Sequence, residues 1–408
     1  MTDPQPSNGQ PPKARVAVVA AGVVSPLGFG LQETAESLRT GRDCVSIVSR
    51  FPVQDCRCQT AGQVRDEGLK ERAKGAPHAK RLHRAAQMMI VALKEALGQT
   101  PEFKPQLTVV GTTSGGMSFG EDYYRSLHGR QTLRHAASQI ANYTPQKAIM
   151  DAQEALGISA PCQVIANACA SGTNAIGHAF ECVRYGRYQQ VLTGGYDALS
   201  ELVFVGFDSL QASTPEKCRP FDRGRTGLVL GEGAAILALE NLESAELRGA
   251  TILAEVVGYG LSTDNHHLTQ PNPSGSGARQ AMERALESAQ LSASSVDYIN
   301  AHGTATPFND AAEGKAIAEL FGRVPVSSTK GMMGHSLGAA GAIEAIVSLL
   351  ALRDQILPPN INFRESDPAL DLDIVANESR PATIRTVLSN SFGFGGTNAS
   401  VILAKRNE

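Results

Sequence analysis

The 408-residue chain contains 42% hydrophobic and 19% charged residues, a balance that is typical of globular proteins and excludes a mostly disordered chain. Its net charge of -3 provides no general attraction to nucleic acid or to an anionic membrane surface, so neither is an expected partner. No apolar run approaches the roughly 18 residues that a membrane-spanning helix requires. We therefore expect a globular protein without a membrane span.

The first stretch of the chain, residues 1–14, is polar and rich in proline. It lacks the apolar centre of a signal peptide, and we expect a flexible tail. The seven cysteines are an odd number in a chain without an export signal, which indicates reduced thiols and a cytoplasmic location. The one close pair, Cys56 and Cys58, is spaced more tightly than usual zinc-site pairs, so we expect no metal.

Along the rest of the chain, short apolar runs that are typical of strands alternate with stretches of helical periodicity. The predicted strands are 15–21, 107–112, 163–166, 190–194, 228–239, 252–258, 296–301, 324–327, 386–389 and 399–403. The predicted helices are 31–39, 79–97, 147–156, 172–185, 278–289, 311–321 and 338–352. Such alternation predicts an α/β protein with buried sheets.

A second set of strands and helices opens after Glu240, so we expect two halves, 15–255 and 256–408, that meet near residue 255. The segments that contain Cys169 and His335 are both rich in small residues, and both lead into helices of similar predicted length. This is a hint that the two halves resemble each other.

Cys169 is the leading candidate for a nucleophile. It lies between the strand-like run 162–166 and the helix-like run 172–185. A thiol at the first turn of a helix faces unpaired backbone N–H groups and the positive end of the peptide dipoles, which favour the thiolate. A lone cysteine is more often a buried packing residue, so the nucleophile hypothesis depends on further residues.

Two histidine segments support that hypothesis. His302 lies in 300–310, after the strand-like run 296–299, and His335 lies in 328–338, after the short run 324–326. Each histidine thus precedes a predicted helix, where open α/β sheets collect groups that face a ligand. A single histidine commonly does no more than bind a backbone carbonyl, but two in matching contexts beside a cysteine turn indicate one site.

Together with the glycine-rich segment 391–398, these three segments resemble the β-ketoacyl-[acyl-carrier-protein] synthase family, in the subgroup with a Cys-His-His site. The resemblance covers about 15–405. It implies a thiolase-like fold, in which two similar halves form a five-layer α/β/α/β/α sandwich, usually in a dimer. It also implies a decarboxylative Claisen condensation of a cysteine-bound acyl chain with a malonyl unit, in fatty-acid or polyketide biosynthesis. Both substrates would be carried on the phosphopantetheine of an acyl carrier protein, with no other cofactor.

The resemblance also implies roles for individual residues. Cys169 would carry the acyl chain, and two neutral imidazoles, His302 and His335, would hold the enolate that forms as CO2 leaves. The backbone amides of Cys169 and Phe394 would bind the tetrahedral oxyanion, and the ring of Phe394 would gate the acyl channel. Lys330 would be partly buried and paired with Glu344 as electrostatic support, because a buried ammonium needs a carboxylate. We also count Glu344 among the substrate-binding residues.

Further residues match family positions for substrate and carrier. Thr304 and Thr306 would bind the pantetheine arm, although threonines before a proline often only cap a helix. Ser114 stands where a bulky apolar residue is common, so we expect an acyl pocket that tolerates long or unusual chains. An acidic carrier would dock on a basic cluster, for which the candidates are Lys80, Arg81 and Arg84.

Parts of the sequence pattern also fit other functions. The segment 334–338 fits the G-x-S-x-G turn of a serine esterase, but no histidine follows His335, as that fold requires. Degradative thiolases carry a second active cysteine late in the chain, whereas none follows Cys218. A chain-length-factor subunit would lack the nucleophile. An active ketosynthase subunit that works with such a partner in a type II polyketide system stays open, because Asn167, His83 and Thr226 depart from the usual family pattern.

Overall fold

The computed structural model describes residues 13–74, 82–129, 140 and 142–406. Its strands are β1 (Val16–Ser25), β2 (Gly28–Phe29), β3 (Val45–Ile47), β4 (Thr60–Gly62), β5 (Leu107–Gly111), β6 (Cys162–Ile165), β7 (Gln190–Asp197), β8 (Leu230–Gly231), β9 (Gly233–Asn241), β10 (Ala254–Thr263), β11 (Tyr298–Asn300), β12 (Pro325–Ser327), β13 (Ile356–Leu357), β14 (Asp373–Ile374), β15 (Arg380–Pro381), β16 (Thr386–Gly393) and β17 (Thr397–Ala404). Its helices are α1 (Gly30–Thr40), α2 (Asp66–Arg72), α3 (Arg84–Gln99), α4 (Met117–His128), α5 (Lys147–Leu156), α6 (Ser171–Arg184), α7 (Glu201–Ser209), α8 (Leu242–Leu247), α9 (Ser276–Ala289), α10 (Pro307–Phe321), α11 (Lys330–Met333) and α12 (Ala340–Asp354).

The main sheet joins the two halves of the chain edge to edge. Its strand order is β14-β12-β11-β16-β17-β10-β1-β9-β7-β5-β6, with β2 paired to β1. The halves meet where β1 and β10 run antiparallel, with Val16 opposite Val256. Within each half the outer strands are parallel: β5 pairs with β6 and β7, and β11 pairs with β12 and β16. The carboxyl ends of these parallel strands are where an α/β sheet places its ligand-facing residues.

Helices lie in three layers around these strands. α3 packs on β1, β9 and α5, whereas α9 packs on β10, β17 and α10. α6 and α12 contact each other and strands from both halves, so they form the middle layer. Each interface has its own apolar core of buried residues. Among the described residues, no helix has the length and apolar character needed to cross a bilayer.

The two middle helices approach closely because they are rich in small residues. A Cβ atom on Gly172 would lie 2.7 Å from the carbonyl oxygen of Gly338, and one on Gly341 would lie 2.1 Å from Oγ1 of Thr173. Every residue of α12 from Ala340 to Leu352 is buried, as expected for a helix that is apolar on all sides. The small residues seen in the sequence therefore bring the turns that lead into α6 and α12 together.

The sequence predictions of secondary structure hold for the long elements. Every predicted strand corresponds to a strand of the main sheet, although 228–239 is interrupted at Glu232, and its first part, β8, belongs to the three-stranded sheet β3-β4-β8. The predicted helix 79–97 corresponds to α3, which begins later, at Arg84. Just before it, Nδ1 of His83 accepts a hydrogen bond from the N–H of Ala85 at 3.1 Å. A histidine thus caps the helix, a task that an aspartate can also perform. The boundary near residue 255 stays a prediction.

Candidate active site

Cys169 lies on a tight turn between β6 and α6. Its neighbour Ala168 has φ 57°, a left-handed conformation that costs a non-glycine residue of the order of 1 kcal/mol. The hydroxyl of Ser171 closes the turn, because it accepts from the N–H of Asn167 at 2.9 Å and donates to the carbonyl of Ala168 at 2.5 Å. The strained turn directs the thiol into a cavity rather than into the core.

Two backbone N–H groups contact the sulfur of Cys169, its own and that of Phe394. Phe394 lies on the turn between β16 and β17, and its ring stacks on Phe207 with the centroids 5.4 Å apart. The turn comes close because Gly393 has no side chain: a Cβ there would lie 3.2 Å from the nitrogen of Cys169. Fixed donors at this point suit a tetrahedral oxyanion at the acylated sulfur.

His302 and His335 lie side by side, with ring centroids 5.2 Å apart and the rings nearly perpendicular at 83°. Glu313 holds the first histidine, since its carboxylate accepts from the N–H of His302 and of Gly303, both at 2.8 Å. The segment just before β8 of the first half holds the second, because the N–H of His335 donates to the carbonyl oxygen of Val229 at 2.7 Å. Both imidazoles are thus placed through their main chain, which leaves the rings free to face the cavity.

Both imidazoles are neutral near physiological pH. Burial lowers the pKa of His302 and of His335 well below 6.5, and the charge of Lys330 lowers both further. Within the described part of the chain, Nδ1 of His302 and both ring nitrogens of His335 have no hydrogen-bond partner. Buried polar atoms rarely stay unpaired, so these nitrogens are available to a ligand in the cavity.

Lys330 lies behind the two histidines and is fully buried. Its ammonium donates to the carbonyl oxygen of His302 at 2.6 Å and forms an ion pair with the carboxylate of Glu344 on α12. The side chain does not line the cavity. Lys330 is therefore a positioning residue that acts on the histidines through the main chain of His302 and through its charge.

One cavity, of about 1050 Å³ including its mouth, contains the thiol of Cys169 and the imidazoles of His302 and His335. It is lined by Cys169, His302, His335 and the aromatic residues Phe392 and Phe394, and also by Thr304 and Thr306. A thiol from the first half and two imidazoles from the second therefore share one space. The three residues therefore form one common site and are not three separate packing positions.

Sequence models of one protein family match both halves of the chain. The sequence model of the Beta-ketoacyl synthase N-terminal domain matches residues 13–245, and that of the C-terminal domain matches residues 253–364. The chain belongs to the beta-ketoacyl synthase family. It is a ketosynthase, an acyltransferase of fatty-acid or polyketide biosynthesis.

Individual relatives cover nearly all of this ketosynthase. A 3-oxoacyl-[acyl-carrier-protein] synthase 2 of Staphylococcus aureus (strain COL) is 37% identical over 407 residues, 96% of this chain and 98% of the relative. The structure of the ishigamide ketosynthase/chain length factor has a TM-score of 0.90 at 34% identity and covers 97% and 100% of the two chains. A type II PKS ketosynthase in complex with its acyl-carrier protein has a TM-score of 0.86 at 29% identity, with coverage of 97% and 100%. These structures confirm the thiolase-like fold.

Of the predicted substrate residues, the threonines reach the ketosynthase cavity and two others do not. The hydroxyls of Thr304 and Thr306 are 2.9 Å apart in the cavity wall. Ser114 is not in that wall, because its hydroxyl binds Oδ1 of Asp197 at 2.7 Å. Glu344, expected at the substrate, is also outside the wall, since its carboxylate is occupied by Lys330.

The predicted docking cluster is only partly described. Lys80 and Arg81 lie outside the described residues. Arg84 is a poor docking residue, because its guanidinium points inward to the fully buried Glu232 at 2.7 Å and to Asp66 at 2.6 Å. We therefore withdraw Arg84 from the docking surface of the ketosynthase and assign it an internal structural role.

Burial opposes the thiolate form that the helix N-terminus favours. Burial raises the pKa of Cys169 to about 12, and the contacts with two N–H groups and the charge of Lys330 offset this only in part. The resting ketosynthase therefore holds a thiol. Desolvation outweighs the effect of the helix N-terminus at a site this deep.

Sequence reasoning missed two buried acids. Glu313 supports His302 from the inner face of α10, and Asp197 lies at the end of β7 against the first-half loop after β5. The signal for Glu313 was present: it is an acidic residue inside a predicted helix, on the face that the apolar residues define. Asp197 had no such signal, because its partners are distant in sequence.

Substitution of Gly393 by alanine is expected to slow acyl loading about tenfold or more, because the new Cβ forces the N–H of Cys169 and the Phe394 turn apart. Loading is measured by mass spectrometry over time, together with thermal stability. Gly206→Ala on α7 is the control, because a Cβ there meets nothing within 4 Å. Equal loading rates for the two variants would contradict the assigned oxyanion site.

Decarboxylation of a malonyl thioester is expected to stay constant from pH 8 down past 6.5 and to fall only below that. The neutral imidazoles are required, and the pKa of each is lowered, so protonation begins at a lower pH than for an ordinary histidine. Unfolded histidines bind protons first, and stability should fall as the pH drops below about 6.5. Initial rates of CO2 release between pH 5 and 8 test this, and a rate that already halves at pH 7 would contradict it.

Proposed function

We propose that the chain is a β-ketoacyl-[acyl-carrier-protein] synthase that catalyses a decarboxylative Claisen condensation. Cys169 carries the acyl chain, and His302 and His335 bind the thioester oxygen of the malonyl unit. The observation that carries the proposal is one cavity that holds a thiol with two N–H donors at its sulfur and two neutral imidazoles. Among the described residues, Nδ1 of His302 and both ring nitrogens of His335 have no hydrogen-bond partner.

In the first half-reaction, the sulfur of Cys169 attacks the carbonyl carbon of an acyl thioester. The oxygen becomes an oxyanion that the N–H groups of Cys169 and Phe394 stabilise. The carbon–sulfur bond to the pantetheine arm then breaks, and the proton lost by Cys169 is gained by the departing thiol. Reactant and product are both thioesters, so the exchange is near balance and the thiol needs only transient deprotonation.

In the second half-reaction, the bond between the malonyl α-carbon and its carboxylate breaks, and CO2 leaves. The electron pair forms an enolate whose oxygen accepts N–H hydrogen bonds from His302 and His335. The enolate carbon attacks the acyl group on Cys169, a carbon–carbon bond forms, and the sulfur leaves and regains a proton. These bond changes balance without a redox cofactor or a metal, so the pantetheine of the carrier is the one prosthetic group that the proposal requires.

The proposed function requires an acyl carrier protein and includes a partner subunit. The paired hydroxyls of Thr304 and Thr306 lie where a pantetheine arm would enter, and an acyl carrier protein would dock at that mouth. The enzyme would act as a homodimer or as a heterodimer with a ketosynthase-like subunit. All seven cysteines are free thiols, which supports a cytoplasmic location.

A second candidate is the active subunit of a type II polyketide ketosynthase with a chain-length-factor partner. The similarity to the ishigamide ketosynthase/chain length factor, at a TM-score of 0.90, favours it. Retention of Cys169 and both histidines supports the active rather than the inactive role.

The experiment is reconstitution with acyl-loaded and malonyl-loaded carrier protein. The enzyme is assayed alone and after co-expression with a candidate ketosynthase-like subunit, and the carrier-bound product is identified by mass spectrometry. A 3-oxoacyl carrier two carbons longer than the primer is expected. Hydrolysis of the acyl thioester without a new carbon–carbon bond would overturn the proposal. Activity only in the co-expressed complex would favour the polyketide-type assembly.

A further inference from the structure

A buried carboxylate, that of Asp197, lies beside the reaction site without touching the cavity. It has no exposed surface, and Oδ1 accepts from the hydroxyl of Thr112 at 2.8 Å and from the N–H and hydroxyl of Ser114 at 2.8 and 2.7 Å. Oδ2 accepts from the N–H of Thr113 at 2.9 Å and from the N–H of Gly338 at 2.7 Å. Within the described residues, no cation pairs with it. An acceptor of this many donors is best served by an ionised carboxylate.

These contacts join the two halves of the enzyme next to His335. Thr112, Thr113 and Ser114 follow β5 of the first half, whereas Gly338 lies three residues after His335 in the second. The two backbones are in close contact, because a Cβ on Gly338 would lie 2.6 Å from the carbonyl carbon of Thr112. The turn that follows His335 is therefore fixed by one carboxylate and one close backbone contact.

The carboxylate also affects Cys169 electrostatically. Its negative charge raises the pKa of the thiol, in opposition to the charge of Lys330, while burial is the larger cause. His302 and His335 also face the sulfur across the cavity, and both are neutral. Asp197 is thus the group whose charge disfavours the thiolate.

Resting on the proposed condensation, we propose that Asp197 is a positioning residue that fixes the His335-bearing turn of the second half against the first half, next to Cys169. It touches no substrate. Its role is to keep the imidazole of His335 at the correct distance from the acylated sulfur, where displacement of a reacting group by about 1 Å can cost 100-fold in rate.

The substitution Asp197→Asn distinguishes this role from simple packing. Asparagine has nearly the same shape, but its amide group is a donor that would face the N–H groups of Thr113 and Gly338. The N–H of Gly338 would be left unsatisfied, and the turn after His335 would move. The negative charge beside Cys169 would be lost at the same time.

Two measurements on the purified enzyme test the proposal. In Asp197→Asn, kcat for condensation is expected to fall about tenfold or more, while the KM for the malonyl carrier stays within about twofold because the mouth is unchanged. The rate of Cys169 alkylation by iodoacetamide at pH 8 is expected to rise at least about threefold, as half a pKa unit would give. Asp297→Asn is the control, because that carboxylate accepts two backbone N–H groups at the opposite end of the sheet.

Wild-type kcat and an unchanged alkylation rate in a folded Asp197→Asn variant would overturn the proposal. If that variant does not fold, Thr112→Val removes the hydroxyl that donates to Asp197 and accepts from the N–H of Gly115, and it should lower kcat about threefold at unchanged KM. An unchanged kcat would overturn the proposal equally. Wild-type enzyme that does not condense would refute the proposed function instead, and the alkylation comparison would still test the placement of Asp197.

Discussion

Cys169→Ala is expected to abolish acylation of the protein and to lower condensation by about 10⁴-fold or more. After incubation with acyl-loaded carrier, the wild type should gain the mass of one acyl group and the variant none. The expectation follows from the cavity, where Cys169 is the one cysteine in the wall. Its thiol is also the group that contacts the N–H donors of the oxyanion site.

Decarboxylation of the malonyl carrier should persist in Cys169→Ala, because the enolate is held by His302 and His335 and not by the sulfur. The matched control is Cys218→Ala. Burial raises the pKa of Cys218 to about 12 as well, but its sulfur faces the carbonyl of Thr304 outside the cavity wall. Retained acylation in Cys169→Ala, or its loss in Cys218→Ala, would place the nucleophile elsewhere.

The three reactive residues were predictable because local sequence determines their position. Each of Cys169, His302 and His335 follows a short strand and precedes a helix or turn, and parallel strands place such residues along one edge of a sheet. The pairing of Lys330 with Glu344 was predictable for another reason. A charged residue inside an otherwise apolar helix requires a partner, and the structure confirms the contact.

The errors share one cause, which is that partners distant in sequence decide where a side chain points. Ser114 binds an acid 83 residues away, and Arg84 binds one 148 residues away. Neither direction is encoded in the local pattern. The short strands β3 and β4 were missed for a related reason, since each is only three residues long and is defined by its pairing with another strand.

Substitution of Glu344 by glutamine is expected to destabilise the enzyme by about 3–5 kcal/mol, the cost of leaving a buried charge without its partner. Lys330 and Glu344 are both almost completely inaccessible to solvent. Lys330→Met should cost less, because burial raises the pKa of Glu344 to about 7 even beside Lys330, and the carboxyl can take up a proton when the lysine is gone. Chemical denaturation of both variants measures the difference.

The double variant Lys330→Met/Glu344→Gln separates stability from catalysis. It contains no buried charge at this position, so most of the free energy of unfolding should return, whereas condensation should stay at least about tenfold below wild type. Two contributions of Lys330 are still lost: the hydrogen bond to the carbonyl of His302, and the charge that lowers the pKa of both imidazoles. The control is Glu240→Gln, which disrupts the ion pair with Arg248 far from the cavity and should leave kcat unchanged.

The pH profile of the double variant decides what Lys330 does. Without its charge the pKa of His302 and of His335 should rise, although burial, the larger cause, still keeps each below that of an exposed histidine. The neutral rings then become protonated at a higher pH, so the acid limit of malonyl decarboxylation should move upward relative to wild type. A double variant that regains stability and keeps the wild-type acid limit would show that Lys330 supports the fold alone. Lost stability together with an upward shift would show that its contribution to the fold is not replaceable by apolar packing.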